Sequence, residues 1–146
     1  MKFINSMYSF EEKIKSDLIE IPQLLNDIVY QLEEHSIGKE ILFNIQLCLD
    51  EAITNIINYA YQGIDEVIDV KIIVEPNRIT VELIDSSEEY NPLKADPDTN
   101  LPLEERPIGG LGILLIKNLS DFQSYKRIDN KNCLSLFFNT NNQSTI

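Results

Sequence analysis

At 146 residues, 43% hydrophobic and 25% charged, the chain has the size and apolar content of one domain with a sizeable core. Its formal net charge of −12 opposes phosphate backbones and anionic lipid, which argues against nucleic-acid and membrane binding and leaves basic protein partners or a metal-bridged anion open. The opening MKFINSMYSFEEKIK has no signal-peptide apolar run, and the longest near-apolar stretch, Ile108 to Ile116, is too short to span a bilayer, so a cytoplasmic protein is expected.

The first elements are an extended segment near Met7 to Lys15 and a helix from about Ile21 to Glu34. Leu24, Ile28 and Leu32 form that helix's apolar row, and Gly38 is placed to end it. A second helix is predicted from about Lys39 to Tyr61, closed by Gly63. Its stripe of Leu42, Ile45, Leu49, Ala52, Ile53, Ile56 and Ala60 is wide enough to face a core. Two β-branched strands follow, Val67 to Glu75 and Arg78 to Asp85, and the Pro76-Asn77 turn between them predicts antiparallel pairing.

Ser86 to Ile108 carries four prolines and six acidic residues without periodicity, the signature of a lid or binding loop. A helix from about Leu111 to Leu119 comes next, then strands Phe122 to Ile128 and Cys133 to Phe138 around a turn at Asp129 to Lys131. The tail from 139 to 146 is polar and expected to fray. No repeat or linker divides the chain, so a single domain is expected. The element order predicts a two-layer α/β (α+β) sandwich of a mostly antiparallel mixed sheet and about three helices. Cys48, Cys133 and the single His35 have no metal-ligand spacing.

Three features carry chemistry. In "LCLDEAITNIINYAY", Glu51, Asn55 and Asn58 recur at four and three residues, which brings them near one side of the second helix; a solvated face is the bland reading. In "VELIDSSEEYNPL", Asp85 closes a strand, where an aspartate either forms a turn or accepts a hydrogen bond from a ligand amine. In "RPIGGLGILLIKNLSD", Gly109, Gly110 and Gly112 enter a short apolar helix. Such a start allows close packing, or lets backbone N–H groups cradle a phosphate. It is neither a Walker motif nor a dinucleotide fingerprint.

Taken in this order, the three features resemble the GHKL-type (histidine kinase-like) ATP-binding domain, and within it the small stand-alone serine/threonine kinases that act as anti-sigma factors. "DEAITNIINYAY" resembles that family's N-box, "DSSEEYNP" its Asp-x-Gly box with the aromatic-Asp-Pro follow-on, and "GGLGI" its second glycine box. The likeness runs from about Lys15 to Phe138 and implies a Bergerat-type fold with a long ATP lid over about 86–110.

The resemblance implies that Glu51 is the general base toward a serine hydroxyl, with Asn58 further along the same polar row. Asn55 would help hold Mg²⁺ and Asp85 would bind the adenine amine of ATP. Gly109, Gly110, Leu111 and Gly112 would form the phosphate loop, with Arg106 reaching the terminal phosphate. Ser135 resembles a hydroxyl position near the adenine. The chain departs from the box at Ser87, where the family has glycine; a positive φ there would be strained in serine.

The activity so implied is phosphorylation of a small antagonist protein in a partner-switching system, with a sigma-like factor as a second partner and a homodimer as the assembly. Two alternatives stand beside it. One is a non-catalytic nucleotide- or partner-binding module of the same fold; the other is an ATPase without protein phosphotransfer.

Overall fold

Alternation of β-branched and polar residues makes the strands, and the apolar rows of two helices cover one face of the sheet they form. The computed structural model describes residues 7–60, 66–94 and 110–140. The elements are β1 (Tyr8–Lys15), α1 (Ile21–Glu33), α2 (Lys39–Asn55), β2 (Val67–Glu75), β3 (Arg78–Asp85), α3 (Gly110–Leu119), β4 (Phe122–Ile128) and β5 (Lys131–Asn139). The sheet has the order β1-β2-β3-β5-β4, and every described pairing is antiparallel, so the expectation of a mixed sheet is corrected. Its hairpins, β2–β3 and β4–β5, need no parallel crossover.

Register decides which side chains reach the core. Val70, Leu83 and Leu134 form one cross-strand row and Ile72, Val81 and Leu136 the next, all of them buried. Against them pack Ile21, Leu24, Ile28 and Leu32 of α1 and Leu42, Ile45, Leu49, Ala52 and Ile53 of α2. Each such aliphatic side chain removed from water contributes about 1.5–3 kcal/mol, so this face drives the collapse. The rows end at Asp85 and Asn132, which oppose each other in register and are both buried. The sequence period thus carries a polar pair to the end of an apolar face.

Several boundaries differ from the sequence expectation. Gly38 does not close α1; it is the N-cap of α2 in extended conformation, and Ser36 adopts the left-handed conformation, with φ 57°. Regular α2 stops at Asn55 and passes into a π turn over Ile56–Ala60. Gly63 lies outside the described residues, as do residues 95–109 of the lid expected over about 86–110. β5 begins at Lys131 because Asp129 and Asn130 both take positive φ, 51° and 63°, and make a two-residue hairpin turn. Thr140 bonds through its N–H to the Asn77 carbonyl at 3.0 Å, so order extends past the predicted start of the tail.

Candidate nucleotide site

Helix α2 presents different side chains to different neighbours. Its apolar stripe faces the sheet, while Ala52 and Asn55, followed by Ile56, turn toward a cleft at the end of the sheet. Ile113 and Ile116 of α3 form a second wall. Asp85, Tyr125, Asn132 and Leu134 supply the sheet side, and Tyr90 and Pro92 close it from the start of the lid segment. Asn55 and Asp85, far apart in sequence, therefore line one cavity. An apolar hollow with a few convergent polar groups is the ordinary form of a small-molecule site.

Glu51 stands one helical turn before Asn55, against the first turn of α3. A methyl group at Gly112 would come within 2.4 Å of Glu51 Oε2 and 3.2 Å of its Cδ. Any side chain there would displace the Glu51 carboxylate from its place against α3. Burial holds the Glu51 carboxyl above the usual carboxylate range, and the charge of neighbouring Asp50 pushes the same way. A carboxylate so placed is a stronger base than an exposed one. Cys48, buried earlier on the same helix, is no competing nucleophile, since burial and then the Glu51 charge push its thiol up to about 12.

Asp85 is held by its surroundings. Its Oδ1 accepts from the Ser87 N–H at 3.0 Å, from the Ser87 hydroxyl, and from Asn132 Nδ2 at 3.0 Å. Ser87 is absent from the positive-φ residues, so serine at this position of the box causes no backbone strain and instead adds a hydroxyl to the carboxylate's shell. The strain that a positive φ would impose on serine is therefore absent here. Arg127 Nη1 donates to the Ser87 carbonyl at 2.8 Å and ties the same loop to β4. Asn91 Oδ1 accepts from the Leu93 N–H at 2.9 Å and caps the short 3₁₀ turn that Pro92 begins.

The other sequence-predicted residues divide three ways. Gly110 and Leu111 form the first turn of α3 with Gly112, while Arg106 and Gly109 fall outside the described residues. Asn58 sits in the π turn, half-buried and not among the residues lining the cleft. A π turn closes its hydrogen bonds one residue later than an α turn, so the spacing that aligned Asn58 with Glu51 and Asn55 does not persist to it. Ser135 is corrected outright. It alternates with buried Leu134 and Leu136, and it pairs with Glu82 and Ser124 on the face of the sheet away from the helices.

Asn132 and Tyr125 went unrecognised in the sequence. Their only signal is the pairing of Asp85 with Asn132 across β3 and β5, which no local pattern announces.

Among the described residues no group of three or more His, Cys, Asp or Glu could hold a metal by itself. Asn55 is 3% exposed and lines the cleft, where its carboxamide oxygen is the kind of donor a hard cation accepts. A single protein oxygen fits an ion such as Mg²⁺ that draws most of its ligands from phosphate and water. No described helix is long and apolar enough to cross a membrane.

The model of the histidine kinase-like ATPase domain family matches residues 14–138 of this chain. The serine/threonine-protein kinase BtrW of Bordetella bronchiseptica is 27% identical to it over 131 residues, which cover 84% of this chain and 92% of that protein.

Proposed function

The chain belongs to the histidine kinase-like ATPase domain family, and we propose that it is an ATP-dependent serine/threonine protein kinase of the anti-sigma type. Its substrate is a serine on a small antagonist protein, and a sigma-like factor is its second partner. The observation that carries this reading is the placement of Glu51. Its carboxylate abuts the glycine start of α3, one helical turn from Asn55, which shares the cleft with Asp85.

The roles follow from that arrangement. Asp85 accepts a hydrogen bond from the adenine amine, and the apolar walls exclude water from the base. The N–H groups of Gly110, Leu111 and Gly112 meet phosphate oxygens at a helix N-terminus, where positive partial charge favours them. Asn55 is the residue that would hold Mg²⁺, which when bound neutralises phosphate charge. Glu51 takes the proton from the serine hydroxyl as its oxygen bonds to the γ-phosphorus and the bond to the β-phosphate oxygen breaks, releasing ADP. In a chain of net charge −12, neutralisation at the phosphates is a larger requirement than in a basic site.

The likeness to a protein named as a serine/threonine kinase supports transfer to protein, and retention of Glu51 favours catalysis over binding alone. The test is incubation with labelled ATP, Mg²⁺ and candidate antagonist proteins. Wild type is expected to label its partner; Glu51→Ala is expected to lose transfer by at least about a hundredfold while keeping its thermal stabilisation by Mg-ATP. Phosphate release without any partner would establish an ATPase instead. No stabilisation of wild type at millimolar Mg-ATP would establish a non-catalytic module.

A further inference from the structure

Asn132 opposes Asp85 across β3 and β5, and its carboxamide is fully engaged. Oδ1 accepts from the Tyr125 hydroxyl and from the Tyr90 N–H at 3.1 Å. The Tyr90 N–H can only donate, and the Asp85 and Glu88 oxygens on the other side can only accept, so the amide faces with Oδ1 toward Tyr90. Nδ2 therefore points at Asp85 Oδ1 at 3.0 Å, Ser87 Oγ at 3.0 Å and the Glu88 carbonyl at 2.9 Å. Its two hydrogens serve three acceptors, so Asn132 has nothing left to offer a ligand although it lines the cleft.

Asp85 is divided by the same network. Oδ1 takes three protein donors, while Oδ2 takes none from the described residues. We propose that Tyr125, acting through Asn132, is a positioning residue that commits one Asp85 oxygen to the protein and presents Oδ2 alone to the ligand. The cleft then recognises a base through a single amine donor. A 6-amino purine has that donor. Guanine offers N1–H and an amine side by side and requires both carboxylate oxygens. This inference rests on the nucleotide reading above and adds to it a selectivity device and its residues.

The experiment is calorimetric titration of the full chain with the Mg²⁺ complexes of ATP, GTP and purine riboside triphosphate, which is ATP without its amine. Wild type is expected to prefer ATP to the amine-free analogue by about tenfold, the worth of one good hydrogen bond to a charged group. Tyr125→Phe removes one hydroxyl from a half-buried ring. It is expected to weaken ATP about fivefold, leave the analogue unchanged and narrow the preference over GTP. Asn132→Leu should do the same, and adding Tyr125→Phe to it should change the ratios no further, since the tyrosine acts through the amide. An unchanged ratio in Tyr125→Phe, or an equal loss for ATP and the analogue, overturns the proposal. If wild type bound no ATP, the nucleotide reading itself would fall and take this inference with it.

Discussion

Glu51 illustrates how one side chain couples function to stability. Its folded carboxyl titrates above the ordinary value of 4.5 because burial, and secondarily Asp50, disfavour its charge. As the proposed general base Glu51 must be unprotonated, so the proposed phosphotransfer should fall on acidification at a higher pH than an exposed glutamate would give. A pH profile of the single-turnover rate checks this, with an acidic limb centred above 4.5 as the expected result. The stability effect has the opposite sense. With the folded pKa raised, the native state binds more protons than the unfolded state in the window above 4.5, so this group's contribution declines as pH rises through it. Glu51→Gln should therefore unfold at a higher temperature than wild type at neutral pH, and the gain should vanish well below 4.5, where both states are protonated. Asn55 and Asp85, which the structure brings to one cleft, could be singled out from sequence because each sits in a local pattern, a helical spacing or a strand end. Tyr125 and Asn132 could not, because Asn132 meets Asp85 across 47 positions of chain and only the strand register unites them.

Between elements, the informative contact is α2 against α3. Two effects of opposite sign meet in Gly112→Ala. Alanine is favoured over glycine inside a helix by about 1 kcal/mol. Its methyl, however, would stand 2.4 Å from Glu51 Oε2 and 3.4 Å from Glu51 Cβ, so the carboxylate must swing away. The nearest atom is the end of a flexible side chain, which makes the displacement inexpensive to the fold. Stability should thus change by less than about 1 kcal/mol in urea unfolding, while phosphotransfer falls at least about tenfold. A large loss of stability with unchanged transfer would show that the contact serves packing alone. At this scale the sequence is read well where signals are local. The Pro76-Asn77 turn sets the β2–β3 hairpin, with Glu75 paired to Arg78, and the Asp129-Asn130 turn sets β4–β5. It is read less well where a helix changes pitch: nothing in "NIINYA" announces that Ile56–Ala60 is a π turn, so regular helical spacing aligns Asn58 with Glu51 and Asn55 where the structure does not.

For the whole molecule the governing quantity is charge. A net −12 repels itself more strongly in the folded state than in an expanded chain, where the same carboxylates stand further apart. Among the described residues two ion pairs oppose this, Lys13–Asp69 at 2.5 Å and Arg78–Glu75 at 3.5 Å, and both involve exposed basic side chains. Exposed pairs of this kind contribute about 0–1 kcal/mol each, so screening them removes little. Screening the self-repulsion returns more, because the Debye length shrinks from about 30 Å at 0.01 M salt to about 10 Å at 0.1 M, shorter than the spacing of many surface charges. The ligand-free chain should therefore gain a few degrees of unfolding midpoint, about 3 °C, when sodium chloride is raised from low millimolar to about 0.2 M at neutral pH. The gain should shrink toward zero near the isoelectric point of about 4.4, where the net charge has been titrated away. Differential scanning calorimetry at the two pH values decides it. A midpoint that falls with salt at neutral pH would mean that specific ion pairs, and not net repulsion, dominate the surface of this molecule.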